Sequence, residues 1–282
     1  MIIRENIVEV SDISEEFILK TDKINRRQDE LIFFDLEHYV YKKPKCIGVF
    51  GACIFNNDDK KLHVTQYMIE NKSEVVDILI LARRYFIDMK KHGKNSIVTF
   101  SGNNDFTVIN YLFKKYNIQY DFSKEFQDID IQREYERVYG HSIGLKNLEK
   151  VFEIFREGEL ISGSNLAKTF HKVLKDREYI LRMPKKKVEN ILLYNEQDVT
   201  NLYNIFTLWN KFIIETTEIK DDEEETKIDK ENDNDKLVDN VNEKYDTKEE
   251  KIVDDIYIKN KEVSGLEEKD NIQLKELVNE GI

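Results

Sequence analysis

Acidic side chains at four points of the chain have the types and positions that a divalent-metal site requires. Asp35 and Glu37 lie two residues apart at the end of the apolar run LIFFDLEHY (31–39). On a strand the two carboxylates would share one face and repel each other unless a cation lies between them. Asp105 and Asp198 stand in two later segments. Carboxylates that converge from separate elements could hold two divalent ions about 3.5–4 Å apart, as metal-assisted phosphodiester hydrolysis requires.

Each of these residues also has a simpler interpretation. Asp-x-Glu is a common triplet on solvated strand ends, and a second triplet, DRE at 176–178, looks like a solvated helix face. Asp105 could serve only as the N-cap of a helix, a position that Asp favours. Tyr194 precedes Asp198 by four residues, which places a phenol and a carboxylate on one helical face. Of the 14 tyrosines, only Tyr194 has Asp four residues later, so composition does not force this pairing.

The apolar pattern predicts an α/β fold with one mixed sheet and flanking helices. Three runs rich in β-branched and aromatic residues predict a three-strand meander at 31–39, 47–55 and 61–70. Helices and strands then alternate, with helices expected at 73–93, 105–118 and 144–155 and strands at 95–100 and 125–131. A long helical pattern at 184–215 closes this region, and its spacing allows a break near 194–198. This order of elements resembles that of a ribonuclease H-like sheet, and other α/β domains share parts of it.

Charge divides the chain into a balanced body and an acidic tail. Residues 215–282 hold 24 of the 56 Asp and Glu and 11 of the 44 Lys and Arg, so this segment carries −13 and the rest +1. We expect residues 1–30 to be an N-terminal extension that packs on the core, and 31–215 to be the ribonuclease H-like domain. Residues 216–282 are expected to form an acidic, largely disordered tail with a possible short helix at 266–278.

Other sequence features argue against membrane insertion and disulfide bonding. Cys46 and Cys53 lack CxxC spacing, so they are expected to be buried, reduced thiols. No apolar run approaches the ~18–20 residues of a spanning helix, and the N-terminal segment carries charges where a signal peptide would be apolar. We therefore expect a cytoplasmic protein without a membrane partner.

Three short motifs resemble those of a known nuclease superfamily. FDLE (34–37), SGNND (101–105) and YNEQD (194–198) are similar to the three exonuclease motifs of the DEDD superfamily, in the subtype with Tyr-x-x-x-Asp. With the segment IDIQREYERVYGHSIGLKNLEKVF (129–152), the chain most resembles the YprB-like bacterial ribonuclease H-like domains, which are predicted 3′–5′ exonucleases. Their Asp after a strand and their Leu-Lys-x-x-Glu helix start are matched by Asp130 and by LKNLE (145–149).

This resemblance implies a two-ion site that uses Mg²⁺ or Mn²⁺. Asp35, Glu37 and Asp198 would hold one ion, Asp35 and Asp105 the second, and Tyr194 would orient the attacking water. The expected substrates are DNA or RNA with single-stranded 3′ ends. The second motif is one residue shorter than is usual in the family, and His38 follows Glu37 where the family often has Thr. On a regular strand His38 faces away from the acidic pair, so we expect a core or surface histidine and not a ligand.

Nucleic-acid binding would also need basic side chains to contact phosphates. Candidates between the second and third motifs and at the start of the last helix are Lys146, Lys168, Lys172, Arg177, Arg182 and Lys185. Each could equally belong to an ordinary solvated helix surface. Two further functions stay open, a non-catalytic nucleic-acid-binding or scaffold protein and an endonuclease of the same fold. The acidic tail could compete with nucleic acid for the basic surface, and the sequence does not identify a protein partner for it.

Overall fold

A computed structural model describes residues 1–213, except 12, 22–23 and 159–160, and a mixed sheet organises these residues. Its strands are β1 (Ile2–Val8), β2 (Leu31–Tyr41), β3 (Lys43–Asn56), β4 (Lys61–Met68), β5 (Ser96–Thr99) and β6 (Gln127–Asp130). The strand order is β1-β4-β3-β2-β5-β6. Strands β2, β3 and β4 pair antiparallel, as the predicted meander requires, whereas β5 pairs parallel with β2 and β6. The predicted mixed α/β fold is confirmed.

Helices cover the sheet and provide most of the long connections. They are α1 (Val75–Lys91), α2 (Asn103–Lys115), α3 (Phe122–Glu125), α4 (Ile131–Tyr139), α5 (Leu145–Val151), α6 (Gly163–Lys175), α7 (Tyr179–Arg182) and α8 (Lys185–Thr207). The sequence pattern predicts α1, α2, α5 and α8, whereas no element was expected at α6 or α7. The triplet at 176–178 lies between these two helices, so the expected helix face is instead a turn.

Two apolar clusters form on the two faces of the sheet, and β2 contributes to both. Ile32, Phe34 and Leu36 belong to the cluster that contains residues of α1, α2 and α6, whereas Leu31 and Phe33 belong to the one that contains α4 and α5. This alternation follows from the two-residue period of a strand. Because Leu31–Phe34 are completely buried, the first part of β2 is a rigid central support for the acidic pair, which lies in the middle of the strand since β2 continues to Tyr41.

Helix α8 is continuous through the segment where the sequence pattern allowed a break. Its early residues Ile191 and Leu192 pack in one apolar cluster, and its later residues Val199 and Leu202 pack in the other. The polar residues between them do not interrupt the helix, because the Asn195 and Asp198 side chains are buried and have hydrogen-bond partners elsewhere in the chain. The third predicted motif therefore lies on a regular, rigid helix that packs against the middle of β2.

Outside the central domain, the structure adds one strand at the edge of the sheet. Residues Ile2–Val8 of the predicted extension pair antiparallel with β4. The expected disordered tail at 216–282, with its short helix at 266–278, lies outside the described residues. Among the described helices, none has both the length and the apolar character needed to cross a membrane.

Candidate metal centre

Three carboxylates converge where β2 meets α8. Asp35 and Glu37 extend from β2 on one face, and Asp198 extends from the middle of α8. One oxygen from each of the three lies within 4.8 Å of the others. The structure thus brings the acidic pair of the first motif together with an acid from the far end of the domain.

A glycine opposite Asp35 gives α8 room to support the acidic group. Gly51 is the cross-strand partner of Asp35, and a Cβ atom at this position would lie 2.1 Å from Asn195 Oδ1. Asn195 Nδ2 donates a hydrogen bond of 3.1 Å to Asp35 Oδ2. Gln66 Nε2 in turn donates to Asn195 Oδ1 over 2.8 Å, which fixes the orientation of the amide. Asp35 is therefore held by a buried chain of hydrogen bonds from α8 and β4.

Asp105 lies beside this group but does not belong to it. It is a buried residue in the first turn of α2, and its charge is close enough to raise the pKa of Glu37. His38 Nδ1 lies 3.8 Å from Asp105 Oδ1, so this histidine is next to the fourth acid. Burial lowers the pKa of His38, which favours a neutral ring.

Arg156 is a residue of this site that the sequence pattern did not predict. Its Nη2 donates to Asp198 Oδ1 over 2.5 Å, and its Nε donates to Glu149 Oε2 over 2.7 Å. The guanidinium side chain is only 7% exposed, and its Nη1 has no hydrogen-bond partner among the described residues. Asn201 also donates to Glu149, over 2.9 Å. A buried cation thus lies directly against one of the three converging carboxylates.

Tyr194 contacts a second cation of the site, Lys146, in addition to Arg156. Lys146 Nζ donates to Tyr194 Oη over 2.5 Å and also lies 4.3 Å from the centre of its ring. The Arg156 guanidinium is 5.1 Å from the same ring. Burial, together with the charge of Asp198, raises the pKa of Tyr194, so the phenol keeps its proton. With Lys146 donating to its oxygen, the phenolic O–H can donate to a molecule in the site.

Ionisation of the four acidic residues is unfavourable in the metal-free site, even with Arg156 and Lys146 nearby. Burial raises the pKa of Asp35 to about 6, although the hydrogen bond from Asn195 opposes the rise. Burial and the neighbouring Asp35 raise the pKa of Asp198 to about 8. Burial, followed by the charge of Asp35, also raises the pKa values of Glu37 and Asp105. Each carboxylate therefore makes the ionised form of the next one less favourable.

These features match the requirements of hard divalent cations. Mg²⁺ and Mn²⁺ prefer carboxylate oxygens, and a bound ion removes the repulsion that raises the pKa values. The donors come from a central strand and a continuous helix, which fixes their spacing. The residues present therefore fit a divalent-metal centre with Asp35, Glu37 and Asp198 as its nearest set of ligands.

This charge arrangement predicts how metal binding will depend on pH. The folded pKa values of Asp35 and Asp198 exceed the value of about 3.9 expected in an unfolded chain, so the unfolded chain ionises first as pH rises. Metal-free stability should therefore fall between about pH 4 and pH 8. Because Mg²⁺ binds the deprotonated carboxylates, the rise in thermal midpoint on adding Mg²⁺ should increase from pH 5 to pH 8.

Thermal unfolding in EDTA and in MgCl₂ at matched ionic strength measures this difference. Asp198→Asn should flatten the pH dependence, and Asp77→Asn, at an exposed position on α1, should leave it unchanged. A stabilisation by Mg²⁺ that is the same at pH 5 and pH 8 would contradict the electrostatic account.

The basic residues expected to contact nucleic acid lie in different surroundings. Lys146 is engaged with Tyr194, and Arg182 forms ion pairs with Asp176 and Glu178 on the surface. Exposed side chains are found at Arg177, at Lys185, and at Lys168 and Lys172 on α6. Of these six residues, Lys146 is the one with a described hydrogen bond to Tyr194 at the metal centre, whereas Lys172 and Arg182 line a common cavity.

Sequence comparison agrees with the mixed α/β fold. No curated protein matches the chain. A family model named RNase_H_2 and described as RNase_H superfamily matches residues 32–210, which is more than half of the chain and extends from β2 to just beyond α8. The chain therefore belongs to this family of the ribonuclease H superfamily.

Proposed function

We propose that the protein is a metal-dependent 3′–5′ exonuclease that hydrolyses phosphodiester bonds of DNA or RNA. Membership of the ribonuclease H superfamily supports a nuclease-type function on nucleic acid. The observation that carries the proposal is the convergence of Asp35, Glu37 and Asp198 within 4.8 Å, with Tyr194 one turn before Asp198 on α8. The motif spacing, with Asp105 as the remaining acid, supports the exonuclease subtype.

The acidic residues would hold and space the ions. Asp35, Glu37 and Asp198 form the nearest set, and Asp105 would complete a second position beside Asp35. Two divalent ions, Mg²⁺ or Mn²⁺, would lower the pKa of an attacking water and stabilise charge on the phosphate. Asn195 keeps the Asp35 carboxylate oriented through its 3.1 Å hydrogen bond. We expect these residues to need only small movements, because β2 and α8 each contribute buried residues to both apolar clusters.

Tyr194 would position the attacking water. The raised pKa keeps its hydroxyl protonated at neutral pH, so the hydroxyl can donate a hydrogen bond. Lys146 donates to the phenolic oxygen and thereby leaves the O–H directed elsewhere. The Tyr194 side chain is also held between Lys146 and the Arg156 guanidinium. A fixed donor of this kind reduces the entropy lost when the water is oriented for attack.

Two alternative functions lead to different products. A non-catalytic nucleic-acid-binding protein would bind the substrate without cleaving it, and an endonuclease would cut at internal positions. The complete set of four acids and Tyr194 favours catalysis, because a site without catalytic use has no need for buried acids with mutual repulsion.

Oligonucleotides labelled at the 5′ end distinguish these functions. With Mn²⁺ or Mg²⁺, the wild-type protein should shorten single-stranded DNA or RNA in steps of one nucleotide from the 3′ end, and EDTA should stop the reaction. Blocking the 3′ end by an inverted nucleotide should prevent degradation. Internal fragments from the blocked substrate would indicate an endonuclease, and binding without cleavage would refute the hydrolase proposal.

A further inference from the structure

A cavity of about 650 Å³ lies between α6, α7 and the first turns of α8. Four exposed lysines line it, and we call it the lysine cleft: Lys168 and Lys172 from α6, and Lys186 and Lys187 from α8. Tyr179 of α7 lines the same cavity, and the Lys172 ammonium lies 5.6 Å from the centre of its ring. The lining contains no Asp or Glu among the described residues.

Among the described residues, no acidic side chain pairs directly with a lysine of the lysine cleft, and the cavity that shares Lys172 and Lys187 with it is lined by a single acid, Asp176. None of its four lysines forms a salt bridge with a described residue. A larger cavity of about 810 Å³ beside α1 and α2 differs in this respect, because Asp121 and Glu125 line it together with its basic residues. Four ammonium groups around one cavity repel each other, and an anion with several charges would relieve this repulsion.

The lysine cleft is connected to the metal centre through α8 and Lys146. Asn190 and Ile191 line the cleft, and one helical turn later the same helix carries Tyr194 and Asn195. The distance along the helix from Asn190 to Asp198 is about 12 Å at 1.5 Å per residue. Lys146 Nζ, which donates to Tyr194, also donates to the backbone carbonyl of Ile161 at the rim of the cleft.

We propose that the lysine cleft binds the phosphate backbone of a single-stranded polynucleotide whose end lies in the carboxylate centre. This inference rests on the proposed function and adds a second contact region, which begins about 12 Å along α8 from Asp198. Lysines bind phosphates as flexible point charges without reading the base sequence, so the cleft supplies affinity for any sequence. A substrate too short to span from the centre to the cleft does not gain this affinity.

Binding of fluorescent dT20 to the full chain in EDTA tests the cleft separately from catalysis. At 50 mM salt, Lys168→Gln/Lys172→Gln and Lys186→Gln/Lys187→Gln should each weaken binding about tenfold and reduce the slope of log K against log salt by about 1.4, or about 0.7 for each lost phosphate contact. The matched control, Lys114→Gln/Lys115→Gln at the end of α2, should bind like the wild type. Equal affinity and slope in cleft and control variants would overturn the proposal, and so would a wild-type chain that does not bind dT20.

A second measurement separates this inference from the proposed hydrolysis. In Mn²⁺, the cleft variants should hydrolyse a small p-nitrophenyl ester of thymidine 5′-monophosphate as fast as the wild type, because this substrate does not reach the cleft. A comparable loss for the small ester and for dT20 would contradict a remote contact. If the wild type hydrolyses neither substrate but the cleft variants still lose dT20 binding, the hydrolase proposal fails and the cleft remains supported.

Discussion

Asp35→Asn should lower metal-dependent hydrolysis at least about 10³-fold, which corresponds to about 4 kcal/mol of transition-state stabilisation. Besides burial, the charge of Asp35 raises the pKa values of Glu37, Asp105 and Asp198. Its carboxylate also lies within 4.8 Å of those of Glu37 and Asp198. Replacing it by a neutral amide removes a ligand from the centre and weakens ion binding. The loss should appear in rates measured with saturating oligonucleotide, because the substrate-binding surfaces are unchanged.

The same substitution should not unfold the protein. Burial raises the pKa of Asp35 to about 6, so the ionised side chain opposes folding at neutral pH. Asparagine has nearly the same shape, and its Oδ1 can accept the hydrogen bond that Asn195 donates. The metal-free variant should therefore have a thermal midpoint at least as high as that of the wild type at pH 7.5. Asp77→Asn is the control for an exposed acid, and it should retain full hydrolysis. Hydrolysis by Asp35→Asn at the wild-type rate would rule out the proposed centre.

Arg156→Met should destabilise the metal-free protein by about 3 kcal/mol, because truncating one partner of a buried ion pair leaves a buried charge. In this case two carboxylates, Glu149 and Asp198, lose their shared guanidinium. Mg²⁺ should restore some of the stability by neutralising Asp198, whereas, among the described residues, Glu149 would keep only its hydrogen bond from Asn201. The Mg²⁺-dependent gain in thermal midpoint should therefore be larger in the variant than in the wild type.

Chemical denaturation in EDTA and in MgCl₂ measures both effects of the Arg156 substitution. Arg177→Met, at an exposed position after α6, provides a matched control and should change the free energy of unfolding by less than about 0.5 kcal/mol. Arg156→Lys keeps the charge but loses the paired N–H donors, so its stability should lie between those of the wild type and Arg156→Met. A metal-free Arg156→Met protein as stable as the wild type would show that the ion pairs with Glu149 and Asp198 contribute nothing.

The sequence predicts the features of the fold that depend on local periodicity. The meander, the alternation on β2 and the helical spacing of Tyr194 and Asp198 follow from apolar residues at periods of two and about 3.6. Helix α6 also has local signals that would have predicted it, an N-cap at Ser162 and apolar residues at Leu166, Phe170 and Val173. The sequence pattern does not predict that α8 is continuous, because the residues that bury Asn195 and Asp198 and bond to them lie on other elements.

The cationic half of the site could not be inferred from local pattern. Arg156 lies in an irregular segment after α5, where no periodicity distinguishes it from the other basic residues of the chain. Its role depends on α5 and α8 meeting so that Glu149 and Asp198 face one guanidinium. The contact between Gly51 and Asn195 could not be predicted either, because it forms only where α8 crosses β3. Tertiary contacts of this kind require the assembled fold.

The most direct test of the account is the number of Mn²⁺ ions that the carboxylate centre binds. Titration of Mn²⁺ into metal-free protein at pH 7.5, with electron paramagnetic resonance of the unbound ion, measures this number without requiring turnover. The account predicts two bound ions in the wild type, weaker binding and loss of at least one ion in Asp35→Asn, and no change in Asp77→Asn. Absence of bound Mn²⁺ in the wild type, or equal binding by the wild type and Asp35→Asn, would contradict a metal centre built on Asp35, Glu37 and Asp198.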